Sequence, residues 1–317
     1  MANDSLSIEA LSTANPRETS FMRYFAGGDA RPYAVRAWTP LADIAPSLIG
    51  AIVKAEDPAF FAHHGVDWKA TRAAARACFR ARRVIRGGST LTQQLARNLY
   101  LTPTRSVVRK VREMVIARRL ERHLSKARIL ELYLNLVEWG PGVWGCAAAS
   151  DYYFGKAPRD LDPFESTLLA IVLPSPKVGL PAQLAERVRR KQLSLLFQLL
   201  LSGIVRPDEF ARDCDRTRAM HPHIAAGKRL REVLALRLDV PDKTDTGFLV
   251  ALTAALDIAP LPPANILTSR CGRRQQGNAL KQLKARFGEE AMRRMFNAED
   301  LGLLKDHPNA PRASAVR

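Results

Sequence analysis

The chain has 317 residues, of which 47% are hydrophobic and 25% are charged, a composition typical of a globular protein with a substantial core. Lysine and arginine number 49 against 31 aspartates and glutamates, which gives a net charge of +18. This charge favours polyanionic partners, namely nucleic acid, anionic lipid headgroups or a phosphate-bearing substrate. Aromatic residues are too few, at 7%, for a base-stacking surface, and four scattered cysteines argue against a CxxC zinc or redox motif.

The N-terminal stretch MANDSLSIEALSTANPRE lacks a basic region followed by an apolar core, so it does not have the pattern of a secretory signal. The longest apolar runs, at 194–205 and 248–256, are shorter than the ~20 residues that span a bilayer. The sequence therefore predicts a soluble or peripheral protein.

Helical periodicity dominates from residue 40 to about 215, and strand-like alternation is scarce, so a mainly α fold is predicted. Ser125 is a predicted N-cap. In DPFE, Asp162 is predicted to cap a helix, with Pro163 in its first turn and Glu165 reaching back. The predicted helices cover 44–54, 66–83, 89–101, 105–123, 126–137, 163–173, 184–201 and, beyond a change of pattern near 220, 278–296.

Two acids and two histidines lie close together in AEDPAFFAHHG at 55–65. Glu56 and Asp57 end an apolar helix, and adjacent helical residues face different ways, so at most one carboxylate points into a shared pocket. The segment lacks the HExxH type of spacing, so a metal site is not predicted. We expect His63 to be a hydrogen-bonded structural histidine. Glu56, among apolar neighbours, suits a general base.

Two glycines and Ser89 precede a predicted helix in RGGSTLTQQLARN at 86–98. Such a segment is typical of a phosphate-binding helix N-terminus, and equally of a flexible loop with a serine N-cap. The GxxxxGK[ST] spacing of a P-loop is absent. Gln93 and Gln94 are neutral hydrogen-bonding groups of the kind that orient hydroxyl-rich ligands.

A strongly basic segment runs from Arg105 to Arg128 and contains few acids. Arg109 and Lys110 lie four and three residues before Glu113, so the three side chains share a helix face. A solvated surface pair is the simpler interpretation of each contact taken alone. The valines of the segment predict an apolar face close to Glu113, and the surrounding cations could hold a pyrophosphate.

Taken in order, ED-xx-F-xx-H-x-G, GGSTLTQQLARN, RKVRE, KARILELYLN and ERVRRKQL resemble the five motifs of the peptidoglycan glycosyltransferases, the family-51 transglycosylases. The stretches NPRETSFMR, WTPLADIAPSLIGAIVKAED and EWGPGVWG are similar to the monofunctional biosynthetic branch, which is related to the glycosyltransferase domain of class A penicillin-binding proteins. The resemblance covers roughly residues 15 to 215. It implies a mainly α, lysozyme-like helical glycosyltransferase domain with a small membrane-proximal lobe.

The resemblance also implies an activity and a set of site residues. The family polymerises lipid II into β-1,4-linked glycan strands with inversion and releases undecaprenyl pyrophosphate. Glu56 matches the family's catalytic base, and Glu113 matches its second essential glutamate. No cofactor is required by the resemblance, no metal-ligating residue is implied, and a divalent cation at the pyrophosphate stays open. The residues at the family's substrate contacts are Ser89, Gln94, Arg97, Asn98, Arg105, Arg109 and Lys110.

The implied partners are lipid II, the growing lipid-linked glycan strand, an anionic membrane surface and cell-wall synthesis proteins, with no nucleic acid. The implied location is the periplasmic face of the bacterial inner membrane. Since the family usually carries an N-terminal transmembrane helix and this sequence shows none, we expect peripheral binding, an anchoring partner or a lost start. The predicted glycosyltransferase domain is 1–220, with a motif core at 45–200 and a C-terminal extension of unknown role at 221–317.

Departures from the family pattern keep alternatives open. Arg97 stands where lysine is common, and Ala147 stands where glutamate is often seen. A catalytically weak or inactive cell-wall scaffold would keep the same fold and motifs. A basic nucleic-acid-binding protein would explain the charge but not the acidic motifs. A glycan hydrolase would also use carboxylates, but the basic cluster argues against it.

Overall fold

Helices make up most of the regular structure in the computed structural model, which confirms the predicted mainly α fold. The structure describes residues 7–27, 35, 37–81, 88–104, 106–177, 180–236, 238, 240 and 250. The α-helices in these ranges are α1 (Ser20–Ala26), α2 (Pro46–Glu56), α3 (Trp68–Ala81), α4 (Leu91–Tyr100), α5 (Val107–His123), α6 (Lys126–Leu136), α7 (Cys146–Phe154), α8 (Pro163–Val172), α9 (Ala185–Leu201), α10 (Pro207–Ala225) and α11 (Leu230–Leu234).

A short antiparallel hairpin within EWGPGVWG pairs β1 (Glu138–Gly140) with β2 (Val143–Trp144). The helix predicted at 278–296 lies outside the described residues. Among the helices that are described, none combines the length and apolarity needed to cross a bilayer.

The chain is divided into two compact units. The first comprises Met1–Leu161 together with Val172–Lys177, and its described residues include α1 to α7 and the hairpin. The second comprises Asp162–Ile171 and Val178–Arg317, and its described residues include α9, α10, α11 and nearly all of α8. Every predicted site residue that the structure describes belongs to the first unit.

Helix α4 is central to the first unit, where it packs against α1, α5 and α6. Its apolar side chains Leu91 and Leu95 are fully buried. The helix begins after Thr90, whose Oγ1 accepts the Gln93 N–H at 3.1 Å while Gln93 Oε1 accepts the Thr90 N–H at 2.9 Å. This reciprocal capping box makes Thr90 the N-cap, so the serine N-cap interpretation of Ser89 is wrong.

Helix α2 ends at Glu56 and Asp57, the two acids of the first motif. It is buried from Ser47 to Lys54 and stops at Glu56, with Asp57 as its C-cap at φ −152°, ψ 74°. Pro58 restricts the residue before it to non-helical conformations and cannot itself continue the helix. Glu56 stays partly accessible, whereas Asp57 is buried, so the two carboxylates leave the chain in different directions, as predicted.

Helix α5 buries one narrow side, formed by Glu113, Ala117 and Leu120 at helical spacing. The prediction that the valines form an apolar face close to Glu113 is wrong, because they lie on the opposite side of the helix in solvent. Val107 is 81% exposed and Val111 is 55% exposed. The residues of this side, called the valine face below, are Val107, Val108, Val111 and Val115.

In the second unit, hydrogen bonds and a stacking contact at the start of α8 join α8 to α10. The Glu165 N–H donates to Asp162 Oδ1 at 2.8 Å and the Asp162 N–H donates to Glu165 Oε2 at 3.0 Å, which confirms the predicted cap. From α10, Arg216 Nη1 donates to Asp162 Oδ2 at 2.7 Å and to Asp213 Oδ1 at 3.1 Å. The same guanidinium lies 4.0 Å from the centre of the Phe164 ring, so α10 is fastened to α8 by charge and stacking.

Asp213 makes the stability of this unit depend on pH. Its burial, and secondarily the charge of Asp162, raise the pKa of its carboxyl from 3.8 to about 6. The folded state therefore binds this proton more tightly than the unfolded state, a contribution fully present below pH 3.8 and lost as the pH rises through 6. We expect wild-type stability, relative to Asp213→Asn, to fall by roughly 2–3 kcal/mol between pH 4 and pH 7.

Urea denaturation of both proteins across this pH range measures the difference. Asp208→Asn is the matched control, because Asp208 is an exposed aspartate of the same helix whose pKa is lowered by its hydrogen bond to Arg206. Parallel stability curves for wild type and Asp213→Asn would contradict the prediction.

Candidate active site

The predicted base, Glu56, is held by a chain of hydrogen bonds across three helices. Glu56 Oε2, at the end of α2, accepts a bond from Gln94 Nε2 of α4 at 3.0 Å. Gln94 Oε1 in turn accepts a bond from the Tyr133 hydroxyl of α6 at 3.0 Å. Tyr133 is fully buried, and burial together with the negative charge of Glu56 raises the pKa of its phenol well above the ordinary value. The phenol therefore remains a donor, and the Gln94 amide presents its N–H group to the carboxylate.

Asp57 joins the end of α2 to the start of α4. Its Oδ2 accepts the Leu91 N–H at 3.0 Å, and His63 Nε2 lies 2.9 and 3.1 Å from its two oxygens. A carboxylate at this point also lies in the favourable field of the α4 N-terminus. The structural role predicted for His63 is confirmed, and His64 is exposed.

The first amide groups of α4 are already bonded within the protein. The N–H groups of Thr90, Leu91 and Gln93 donate to Gln93 Oε1, Asp57 Oδ2 and Thr90 Oγ1, respectively. The prediction of a phosphate-binding helix N-terminus is therefore wrong for these amides, because their donors are occupied. Gln93 is fully buried in the capping box, so it does not face a ligand. Positive charge for an anion at this site comes from side chains.

Those side chains surround Glu113, which is only 2% exposed. Arg109 Nη1 donates to Glu113 Oε2 at 3.1 Å, and Lys110 Nζ donates to Glu113 Oε1. Lys110 Nζ also donates to Ser89 Oγ at 2.8 Å, so the cation links α5 to the residue just before the α4 cap. Because the carboxylate is buried, losing both cations would leave an uncompensated charge inside the protein. Lys110 stays partly exposed and reaches solvent.

Arg97 lies within the electrostatic range of both glutamates. Burial lowers the pKa of its guanidinium, and the charges of Glu113 and Glu56 oppose that effect. The guanidinium carbon lies 5.6 Å from the centre of the Phe21 ring. Asn98 lies one turn after Gln94 on α4, and its Nδ2 donates to the Gln94 carbonyl oxygen at 2.9 Å.

Two buried guanidinium nitrogens, Arg97 Nε and Arg109 Nε, have no hydrogen-bond partner among the described residues. An arginine fork that keeps free donors is suited to an oxyanion with several acceptor oxygens. Within the residues that the structure describes, no group of three or more His, Cys, Asp and Glu side chains could hold a metal ion.

The structure therefore gathers eight of the nine predicted site residues around α4 and the inner side of α5. Arg105 lies outside the described residues. The sequence alone assigns no role to Tyr133, although it stands within KARILELYLN as a hydroxyl-bearing residue on a largely aliphatic helix. The eight residues are Glu56, Ser89, Gln94, Arg97, Asn98, Arg109, Lys110 and Glu113.

Comparison with known proteins identifies the family to which the chain is similar. The sequence model of the family described as Transglycosylase matches residues 28–199. A biosynthetic peptidoglycan transglycosylase of Herminiimonas arsenicoxydans is 43% identical over 167 residues, which are 51% of this chain and 72% of that protein. Proteins with the same name from Azoarcus sp. (strain BH72) and Dechloromonas aromatica (strain RCB) are 44% and 39% identical, over 52% and 58% of this chain and 73% and 82% of their own lengths.

The chain therefore belongs to the transglycosylase family, as its motifs indicated, and is a glycosyltransferase.

Gly65 contacts both the N-cap of α4 and the backbone of α5, and replacing it tests the approach to α5. The Thr90 hydroxyl donates to the Gly65 carbonyl at 2.6 Å, and Gly65 has φ +87°. A Cβ on Gly65 would lie 2.8 Å from the Ala117 carbonyl oxygen of α5. We expect Gly65→Ala to lower the free energy of unfolding by about 1–3 kcal/mol more than Gly155→Ala does.

Gly155→Ala is the matched control, because Gly155 has φ +64° but nothing within 4 Å of an added Cβ. Both alanines strain the backbone by about 1–2 kcal/mol, and only the one at 65 also meets backbone atoms. Equal losses in urea denaturation would show that the close approach to α5 contributes nothing.

Proposed function

We propose that this transglycosylase is a peptidoglycan glycosyltransferase that joins lipid II units into β-1,4-linked glycan strands. The observation that carries the proposal is the pairing of a fixed, accessible carboxylate, Glu56, with a cationic cluster around buried Glu113. An acceptor hydroxyl needs a base, and a pyrophosphate leaving group needs positive charge. The names of the relatives support the same reaction class.

Glu56 acts as the general base in this proposal. Among the described residues its one hydrogen-bond partner is Gln94, which engages Oε2 and leaves Oε1 to accept a proton. The proton comes from the 4-hydroxyl of the acceptor sugar as that oxygen attacks C1 of the donor sugar. The bond from C1 to the pyrophosphate oxygen breaks with inversion, and undecaprenyl pyrophosphate leaves with the bonding electron pair.

Lys110, Arg109 and Arg97 stabilise the departing pyrophosphate. Their positions are fixed before the reaction by Glu113, Ser89 and the packing of α4, so little reorganisation is needed as charge develops. Glu113 orients these cations. With this fixed charge the proposed reaction has no obligatory cofactor, and a divalent cation at the pyrophosphate would only add to it.

Replacing the base gives the direct test. We expect Glu56→Gln to abolish polymerisation of purified lipid II, with a loss of at least about 10²-fold, because an amide cannot accept the proton. Product strands are resolved by gel electrophoresis from reactions in detergent and in lipid vesicles. Glu18→Gln is the control, since Glu18 pairs with Arg23 on the surface. Wild-type protein that yields no strands in either medium would overturn the proposal in favour of an inactive scaffold.

We further propose that the valine face rests on the periplasmic surface of the bacterial inner membrane, where lipid II is presented. Four exposed valines on one side of one helix form an apolar strip of the kind that contacts other molecules. Exposed Arg112, Arg118 and Arg119 flank this strip on α5. Apolar contact combined with basic residues favours an anionic lipid surface, at about 1 kcal/mol per cation close to it.

Removing apolar area without changing charge tests this contact. We expect Val107→Ser/Val111→Ser to bind phosphatidylglycerol vesicles several-fold more weakly in flotation assays, because apolar burial is lost. Leu184→Ser/Val240→Ser removes two less exposed apolar side chains, 41% and 39% exposed, from the second unit and should bind like wild type. Unchanged binding of the α5 variant would place the membrane contact elsewhere on the protein.

A further inference from the structure

Tyr133 takes no direct part in the reaction proposed above, yet its hydroxyl donates to the amide that holds Glu56. We infer that Tyr133 is a positioning residue for the catalytic base, acting through the carboxamide of Gln94. The inference rests on the proposed function of Glu56. It assigns to Gln94 the task of orienting the base in addition to the substrate contact implied by the family resemblance.

A glutamine side chain has a donor end and an acceptor end, and the two can exchange by rotation about the last bond. Between a phenol and a carboxylate, one orientation satisfies both neighbours: the carbonyl towards the O–H and the NH₂ group towards the carboxylate. In the reverse orientation, Gln94 Oε1 would face a Glu56 oxygen, and two acceptors would oppose each other. The Glu56 carboxylate, which only accepts, therefore selects the amide orientation, and the Tyr133 hydroxyl holds the carbonyl end of the same amide in place.

The phenol is well suited to this task because it cannot easily turn away. Tyr133 is fully buried on α6, and α6 packs against α4. Among the described residues, Gln94 Oε1 is the acceptor of its hydroxyl. The three side chains belong to three different helices. The two hydrogen bonds therefore also fix the positions of α2, α4 and α6 relative to one another near Glu56.

Three charged or titratable side chains lie close to Glu56. Arg97 of α4 and Tyr133 of α6 interact electrostatically with Glu56, while adjacent Asp57 is turned towards His63. Replacing Tyr133 by phenylalanine removes the bond that holds the Gln94 carbonyl, so the Gln94 N–H engages the Glu56 carboxylate less firmly.

The test is the pH dependence of lipid II polymerisation by the full chain. We expect Tyr133→Phe to move the acid limb of the kcat profile to higher pH by roughly 0.5–1 unit. On the acid limb, kcat should fall about threefold to tenfold with little change in KM, because the other substrate-contact residues are unchanged. Tyr24→Phe, which removes the hydroxyl of a 54% exposed tyrosine on α1, is the matched control and should leave the profile unchanged.

A double-mutant cycle separates the relay from a general packing role. In a Gln94→Ala background, adding Tyr133→Phe should change the profile no further, because the amide that transmits the effect is absent. Additive effects of the two substitutions would overturn the inference.

A second variant keeps the test valid if phenylalanine at 133 impairs folding, as judged by circular dichroism. Incorporation of 3-fluorotyrosine at position 133 preserves the ring and makes the hydroxyl a stronger donor, so the acid limb should move to lower pH. Wild-type activity that depends on Glu56, combined with an unmoved acid limb in both variants, would refute the role of Tyr133 alone. Absence of wild-type activity would instead refute the proposed function.

Discussion

The hydrogen bond from the Leu91 N–H to Asp57 Oδ2 is the contact on which the rest of the site depends. This bond joins Asp57, the C-cap residue of α2, to the first turn of α4. His63 is hydrogen-bonded to the same carboxylate. Glu56 is the immediate neighbour of Asp57, so anchoring one acid aims the other at Gln94. The cap residue Thr90 is secured by Gly65, and this places Ser89 beside Lys110.

A second constraint is that the protein keeps several charges inside a helical core. Glu113 is buried with Arg109, and Arg97 is largely buried near both glutamates. Ionised groups in such surroundings persist only when they are paired, and pairing here uses the inner side of α5. A helix has one inner side, so the valines of α5 are displaced to solvent. The pairing of Glu113 on the inner side of α5 therefore also leaves the apolar valines on its outer side.

Local rules of helix formation predicted the features whose partners lie within a few residues. The caps at Ser125 and Asp162, the end of α2 before Pro58 and the mainly α fold are of this kind. The choice between Ser89 and Thr90 as N-cap was not local, because the Thr90 hydroxyl also bonds to a carbonyl 25 residues away. Periodicity showed that the α5 valines share a side, but which side faces α4 depends on packing.

The site residues came from the family resemblance rather than from residue spacing, which left several interpretations open. Tyr133 and Gln94 are 39 residues apart, and Gln94 and Glu56 are 38 apart, so only the tertiary structure brings them together. Among the described residues, the unpaired Nε donors of Arg97 and Arg109 likewise depend on tertiary structure, because packing decides which of their nitrogens find a partner. The resemblance named the expected reacting groups, and the tertiary structure shows how their side chains lie relative to one another.

The placement of Glu113 and the valine face on opposite sides of α5 has a geometric consequence. An α-helix with its side chains is about 10–12 Å across, and it does not compress. If the valine face rests on lipid headgroups as proposed, the cations around Glu113 lie about one helix diameter above that plane. In that arrangement α5 would set the height of the proposed pyrophosphate site over the bilayer, and a lipid-linked substrate would reach it while its tail remains in the membrane.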